Sequence, residues 1–476
     1  MKIAFVSSEV FPFIKTGGLA DVSEALPKAI YGLGHNIKIF LPKYKQINNE
    51  KFNLKVVKEK LHVPIFNLNA KIFWTKLPGT DIDVYLIGND KFYNRDQIYN
   101  DYQDNLERFA FFSLTVLELL KYLKYKPKII HCNDWQSALI PVYLKTIYKK
   151  DVFFRSSRIL FTIHNLGYQG IFDKSKYANL GLDKKYFHYK YLEFYDKINL
   201  LKGGIVFSDL LNTVSKTYSL EIQKPEFGFG LDGVLRERKA DLYGILNGID
   251  YDIWNPMTDP YIWRNYGINS IENKYYNKLK LQDINGLPKK DLPLISIISR
   301  LVSQKGLDLI VKIIDVLPEF DLQLVILGEG SKEYEEILLK ASKDYPDIIS
   351  ANIEFNIKKA HQIEAGSDIF LMPSFYEPCG LNQMISLRYG TIPIVRKVGG
   401  LADSVKDIDE EINGNGFVFQ DYTAIDLLKT IIRALKIYKN KNLWKKIIRE
   451  GMQTDFSFKN SAKKYEKLYY KLITKL

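Results

Sequence analysis

The sequence predicts an α/β protein made of two halves, each built on a largely parallel sheet. Three observations carry that prediction. The chain opens with a strand, a glycine-rich loop, a helix and a second strand, the unit that builds parallel sheets. A second cycle of the same kind begins at Asp291. In both halves polar clusters fall at the carboxyl ends of apolar strands, where open parallel sheets place their ligands. The stretch Gly17-Gly-Leu-Ala-Asp21 recurs as Gly399-Gly-Leu-Ala-Asp403, too far away for a solenoid repeat.

The first strand is Lys2-Ile-Ala-Phe-Val-Ser, an apolar run stopped by small polar residues. The loop Ile14-Lys15-Thr16-Gly17-Gly18-Leu19 follows, then a helical pattern over 20–33 and a strand over 36–42. Glycines let a backbone approach a ligand closely, and the following helix offers N–H groups to an anion. The loop reads as a site for a phosphate-bearing ligand or as an ordinary strand-to-helix turn with a solvated lysine. Residues 51–88 read as β-rich, and 105–122 as a helix apolar on most faces. Two strands then end in Cys132-Asn-Asp134-Trp and His164-Asn-Leu-Gly-Tyr-Gln-Gly170. Asp134 is a site carboxylate or a cap for the helix expected over 137–148; His164 is a site imidazole or a satisfied histidine at a strand end. Residues 171–202 read as helical and tyrosine-rich, and for the run from Tyr177 to Tyr195 helix packing is favoured over a ligand site outside the active site. Phe227-Gly-Phe-Gly-Leu-Asp-Gly233 reads as a loop.

In the second half, Leu294–Ser299 is a strand running into Arg300-Leu-Val-Ser-Gln-Lys305-Gly306. Two cations five residues apart at a strand end suit a pyrophosphate, arginine through its planar fork and lysine as a point charge. A strand over 369–373 ends in Ser-Phe-Tyr-Glu377-Pro-Cys379-Gly380-Leu381. Amides of Gly380 and Leu381 at a helix start suit a phosphate, whereas Glu377 suits sugar hydroxyls or positive charge on a reacting carbon. Pro378 and the helix start favour a packing role for Cys379 over a nucleophilic one. A short strand is expected over 353–355.

Composition narrows the class. The 476 residues carry 68 basic and 55 acidic side chains, a formal charge of +13. The lysines are scattered, with no long basic tract or aromatic–basic module, so a lysine-rich protein with an anionic small substrate is favoured over nucleic-acid binding. Two distant cysteines fit a reducing compartment. The N-terminus reads as a strand rather than a signal peptide, and no run approaches a membrane span. The expected location is cytoplasmic. No metal-ligand spacing, Walker loop or Gly-x-Ser-x-Gly elbow is present.

The motifs together resemble those of bacterial glycogen synthases and plant starch synthases. They are Lys15-Thr-Gly-Gly-Leu, His131-Cys-Asn-Asp-Trp135, His164-Asn with Gln169-Gly-Ile-Phe172, Gly244-Ile-Leu-Asn-Gly-Ile-Asp250, Trp254-Asn-Pro256, Asn277-Lys-Leu-Lys-Leu-Gln282, Ser299-Arg-Leu-Val-Ser-Gln-Lys-Gly306, Glu377-Pro-Cys-Gly380 and Gly399-Gly-Leu. The resemblance implies the glycosyltransferase B architecture, two Rossmann-like domains facing each other across a deep cleft. Residues 1–243 would form the acceptor-side domain, 244–456 the donor-side domain, and a helix over 457–476 would pack back on the first. It implies ADP-glucose as donor, glycogen or another α-1,4-glucan as acceptor, retention of configuration, and no metal or other cofactor. By motif, Lys15, Gly17 and Gly18 would bind or orient the donor, and Arg300 and Lys305 would neutralise the departing ADP. Asn247, His164 and Glu377 would surround the glucosyl ring, with Asp134 near the reacting sugars. Cys379, Gly380 and Leu381 would contact the donor, and Phe355 would stack on adenine. The chain departs from the family pattern at Phe375 and Tyr376, where Arg-Phe is frequent, at Asn382, where threonine is common, and at Ile385, where related transferases carry a second glutamate.

Overall fold

The computed structural model describes residues 1–474. The chain divides into two compact units, Met1–Asn247 with Phe458–Leu476, and Gly248–Ser457. The division expected after 243 falls after 247. Strand Leu242–Gly244 pairs with Leu210–Thr213, and the Ile245 amide donates to the Thr213 carbonyl (2.9 Å), which keeps this segment on the first sheet.

Among the described residues, the first unit holds a nine-stranded sheet. Its order is Leu242–Gly244, Leu210–Thr213, Arg158–Ile163, Ile129–Asn133, Lys2–Val6, Asn36–Pro42, Asp83–Gly88, Leu68–Lys76 and Lys55–Val63. The first seven run parallel, and Leu68–Lys76 runs antiparallel to both of its neighbours. The parallel strands are apolar runs buried on both faces, as helices covering both sides require. Sequence order reverses at Lys2–Val6, whose neighbours are Asn36–Pro42 and Ile129–Asn133. The carboxyl ends there form a topological switch point.

The last helix, Phe458–Thr474, belongs to this unit. It buries Tyr465 and Tyr469. The Tyr469 hydroxyl meets His131 Nδ1 at 2.8 Å, and Asn212 Nδ2 donates to the Tyr465 hydroxyl at 2.7 Å. These bonds satisfy polar groups deep in the sheet that apolar packing alone would leave stranded.

The stretch 171–202 is not the helix expected. It forms strands Ile171–Asp173, Glu193–Phe194 and Lys197–Asn199 in a small antiparallel sheet, plus 3₁₀ turns, before the helix Leu200–Phe207 begins. Asp173 and Asp183 accept the amides of Ser175 and Lys185, and Gly181 turns through a left-handed conformation. These local bonds compete with helix formation. The helix expected over 137–148 is likewise two short pieces, Asp134–Ser137 and Leu139–Lys145.

The second unit, among the described residues, carries a six-stranded parallel sheet. Its order is Ile349–Asn352, Gln323–Leu327, Leu294–Ile298, Ile369–Met372, Ile392–Arg396 and Phe417–Phe419. Its switch point lies between Leu294–Ile298 and Ile369–Met372, whose following loops carry Arg300 and Glu377. The motif Asn277–Gln282 lies on the helix Lys274–Ile284 and is structural. Asn277 accepts the amides of Trp263 and Arg264, Lys278 pairs with Asp368 at 2.7 Å, and Gln282 bonds Gln323.

Candidate active site

In the first unit three strand ends bring Glu9, Asp134 and His164 into play. Asp134 starts a helix with φ +56°, a left-handed conformation that aspartate and asparagine tolerate better than other residues with a Cβ. Its side chain caps nothing below it. One oxygen accepts the His164 amide at 2.7 Å, and the carboxylate also receives the Asn165 amide. His164 Nε2 meets Asn133 Oδ1 at 2.9 Å, and Asn133 Nδ2 donates to the Val6 carbonyl. The two sequence candidates are therefore wired together through the backbone. Burial pushes the Asp134 carboxyl up to about 7, offset in part by the two amides and reinforced by the charge on Glu9. Burial pulls the His164 imidazole down to about 3, so it is neutral at pH 7.

The glycine-rich loop behaves differently from the expectation. Glu9, almost fully buried, accepts the Thr16 amide, the Thr16 hydroxyl (2.7 Å) and the Gly17 amide (3.3 Å). The chain's own carboxylate thus takes loop amides that the sequence offered to an anion. Lys15 pairs with Asp21 at 2.7 Å, with both side chains about one-third exposed or more. Gly17 has an ordinary extended φ of −155° and open space where a Cβ would stand. Gly18 begins the helix Gly18–Gly32. Asn247 is buried, and its Oδ1 has no hydrogen-bond partner, an acceptor left for a ligand or solvent.

In the second unit, Lys305 Nζ lies 2.6 Å from Glu377 Oε2, with both side chains largely buried. Ser374 Oγ donates to the same carboxylate oxygen at 3.1 Å. Arg300 is exposed on the loop that leads to Lys305. The loop closes at Gly306, φ +78°, where a Cβ would overlap the Pro373 carbonyl oxygen. This glycine lets the cation loop lie directly on the strand end that leads to Glu377. Gly399 and Gly400 do the same from the other side. At Gly399, φ +45°, a Cβ would overlap the Glu377 carbonyl oxygen; at Gly400 it would overlap that of Cys379. The two repeated motifs therefore do different work: Gly399-Gly400 permits backbone contact, whereas Gly17 faces open space.

Cys379 is buried in this packing. Gly380, φ +69°, and Leu381 lead into the helix Asn382–Arg388. Asn382 Nδ2 donates to the Ile298 carbonyl at 2.8 Å, tying that helix to the central strand. An arginine from another strand lies beside position 375. The Arg396 guanidinium stacks 5.7 Å from the Phe375 ring and 5.1 Å from Tyr422. The strand expected over 353–355 lies instead at Ile349–Asn352, because the Asn356 side chain caps the next helix by accepting the Lys359 amide. Phe355 stands between them, 76% exposed. Among the described residues no group of three or more His, Cys, Asp or Glu is placed to hold a metal ion.

Sequence reasoning passed over Glu9, Asn133 and Ser374. Position was the available signal, since each stands at or just after the carboxyl end of a parallel strand.

Residues 2–237 match the family model described as starch synthase catalytic domain, and 280–451 match that of glycosyl transferases group 1. A glycogen synthase of Thermosipho africanus is 51% identical, with all of both chains covered. The chain belongs to the glycogen synthase family. A glycogen synthase of Thermotoga maritima is 50% identical, again with both chains fully covered. Among solved structures, the catalytic domain of starch synthase IV from Arabidopsis thaliana, bound to ADP and acarbose, is 35% identical. It superposes with a TM-score of 0.91 over 99% of each chain. A sucrose-phosphate synthase from Thermosynechococcus elongatus, 18% identical with a TM-score of 0.62 over 99% and 98% of the two chains, shares the fold. Membership makes the chain a retaining glycosyltransferase of the glycosyltransferase B fold.

Proposed function

We propose that this chain extends glycogen: it transfers glucose from ADP-glucose to the non-reducing 4-hydroxyl of an α-1,4-glucan with retention, releasing ADP. The observation that carries this reading is the Lys305–Glu377 pair at the second switch point, with Arg300 on the same loop. Preorganised cations stabilise a leaving diphosphate without reorganising as charge develops. Arg300 and Lys305 receive the ADP phosphates, supported by the Gly380 and Leu381 backbone. Glu377, held by Lys305 and Ser374, faces the sugar, where it accepts hydroxyls and stabilises positive charge at the anomeric carbon. Asn247 supplies an acceptor to the donor through its unpartnered oxygen. Neutral His164 and the neighbouring Asp134 serve the reacting sugars. Lys15, Gly17 and Gly18 orient the donor, and Cys379 and Phe355 contact it, Phe355 through its exposed ring.

The acceptor hydroxyl attacks the anomeric carbon from the face the diphosphate leaves. Its proton passes to an oxygen of the departing β-phosphate, so no enzyme nucleophile is required. Recovery of a glucosyl adduct on Glu377 or Asp134 would overturn that step. The full-length relationship to glycogen synthases and the ADP held by the Arabidopsis structure support the donor and acceptor. We place the reaction in the cytoplasm, where the two cysteines, not joined by a disulfide, suit reducing conditions.

The test is glucose transfer to glycogen from ADP-glucose and UDP-glucose side by side, in excess chelator, by wild type and Glu377→Ala. Turnover with ADP-glucose that survives chelation and falls about a thousandfold or more in the variant supports the proposal. A preference for UDP-glucose overturns the donor; no transfer from either donor overturns the activity.

A further inference from the structure

The loop that carries Arg300 and Lys305 runs from strand Leu294–Ile298 to the helix Leu307–Ile313. The Lys305–Glu377 pair and the contact of Gly306 with the Pro373 carbonyl anchor its end. Gln304 ties its middle to the segment before Glu377. The Gln304 carbonyl accepts the Phe375 amide at 2.9 Å, and its Nε2 donates to the Tyr376 carbonyl at 3.3 Å. A further anchor comes from Tyr422, just beyond strand Phe417–Phe419. The Tyr422 hydroxyl donates to Asp308 Oδ1 at 2.5 Å, with the Ser303 carbonyl a longer second acceptor at 3.3 Å. Ser303 precedes Lys305 and Asp308 follows it, so this anchor brackets the lysine of the loop.

Tyr422 is itself firmly held. It stands immediately before Thr423, which caps the helix Ala424–Tyr438 by accepting the Asp426 amide at 3.1 Å. Its ring meets the Phe375 ring edge-on, with centroids 5.0 Å apart, and the Arg396 guanidinium lies 5.1 Å from its centre. Arg396 Nη1 in turn donates to the Phe375 carbonyl at 2.5 Å. The cluster thus grips both loops of the second switch point, one through a phenol and the other through a guanidinium. Burial, and after it the Asp308 carboxylate, hold the Tyr422 hydroxyl well above the usual tyrosine range, so it donates throughout the neutral pH range. A hydrogen bond to a charged acceptor is among the stronger kinds.

A loop bearing two cations stabilises a leaving diphosphate best when it is in place before charge develops. Holding it there costs backbone entropy, which its anchors must offset. Resting on the reading of Arg300 and Lys305 as receivers of the donor's phosphates, we infer that Tyr422 is a positioning residue for the transfer: its hydroxyl fixes the cation loop in the conformation that meets the diphosphate. Without the bond the loop spends time in other conformations. Apparent affinity for a diphosphate then falls with the fraction that remains competent. The glucan acceptor carries no phosphate and does not bear that cost.

The test uses Tyr422→Phe, Asp308→Ala and the double variant in the full chain. Phenylalanine keeps the ring beside Arg396 and Phe375 and removes the hydroxyl. Thermal melts check that each variant is folded. Calorimetry gives Kd for ADP; turnover gives kcat and KM for ADP-glucose and for glycogen. Tyr422→Phe should bind ADP about tenfold more weakly, with a matching rise in KM for ADP-glucose. Its kcat and its KM for glycogen should be unchanged. Asp308→Ala should act in the same direction, and the double variant no further than the larger single change, because both remove one interaction. ADP binding at the wild-type level in Tyr422→Phe would overturn the positioning role. So would equal rises in KM for donor and acceptor, or losses that multiply in the double variant. Should Asp308→Ala fail to fold, Tyr422→Phe decides alone. If the wild type prefers UDP-glucose, the same comparison is made with UDP. Where the wild type binds a nucleoside diphosphate without transferring glucose, the binding comparison decides. If it binds neither diphosphate, the reading of the cation loop fails and the positioning role with it; tight binding left unchanged in Tyr422→Phe overturns the positioning role alone.

Discussion

Asp134 and His164 are adjacent in space and opposite in their response to pH. The Asp134 carboxyl, raised to about 7, favours the folded state most when protonated. Its contribution is complete below the ordinary carboxylate value near 4 and is lost as pH rises through 7. The His164 imidazole, lowered to about 3, contributes fully above its ordinary value near 6.5, and that contribution is lost as pH falls towards 3. Asp134→Asn removes the first titration and suits the left-handed backbone. Its stability relative to wild type should therefore increase between pH 5 and pH 8, by about 2 kcal/mol, in urea unfolding at the two pH values. A difference independent of pH would show that the carboxyl is not perturbed. At Lys305, removing the partner carboxylate leaves a largely buried ammonium held only by what Gln can offer. Glu377→Gln should lower stability by about 1–3 kcal/mol, read by the same unfolding measurement, in addition to its effect on turnover.

At the scale of elements, backbone contact organises the second switch point. The loop after strand Leu294–Ile298, the loop after Ile369–Met372 and the helix Gly399–Ser404 touch through glycines whose Cβ positions are occupied by carbonyl oxygens. Gly306→Ala adds a Cβ against Pro373 and forces a left-handed alanine at once. The expected cost is about 3 kcal/mol or more, with KM for the nucleotide sugar rising as Lys305 loses its position. Equal stability and KM in that variant would mean that the loop relaxes without consequence. In the first unit the corresponding work falls to a side chain. Glu9 gathers the Thr16 and Gly17 amides, so Glu9→Ala should loosen the loop 14–19, seen as faster amide exchange there, with little change in the distant strands.

The whole molecule is two units linked by two chain crossings, after Asn247 and after Ser457. The second unit is continuous in sequence, whereas the first needs its C-terminal helix. Tyr465 and Tyr469 on that helix satisfy Asn212 and His131 beneath it. A fragment of residues 248–457 should fold and melt cooperatively by circular dichroism. Residues 1–247 alone should not, because they expose the apolar face beneath the helix and leave buried polar groups unpaired. A cooperative melt of 1–247 alone would show that the helix is dispensable. The protein's formal charge of +13 is spread over scattered lysines, among them Lys15, Lys174 and Lys340, which are held in ion pairs.

Apolar periodicity and breaker residues by themselves determined most strands of the two parallel sheets, their alternation with helices and the placement of Asp134, His164, Arg300 and Glu377 at strand ends. These are properties of short segments, which is why they are legible in the chain. The helix over residues 105–122 has the bounds its pattern predicts. Tertiary structure alone decided which groups meet. Nothing local says that Glu9 receives the amides of the glycine loop, that Lys305 pairs with Glu377, or that Gln169 ties the turn at Phe229 to the strand ending at Asn199. Nor does a Gly-Gly-Leu-Ala-Asp sequence reveal whether its glycines face open space or another backbone. The tyrosine-rich stretch after residue 171 has helix-compatible composition, yet aspartate side-chain bonds to backbone amides and long-range strand pairing outweigh a weak helical preference. Propensity is summed along the chain, whereas the partners of a buried polar group come from wherever the fold brings them. The site's chemistry therefore becomes visible only once the chain has closed on itself.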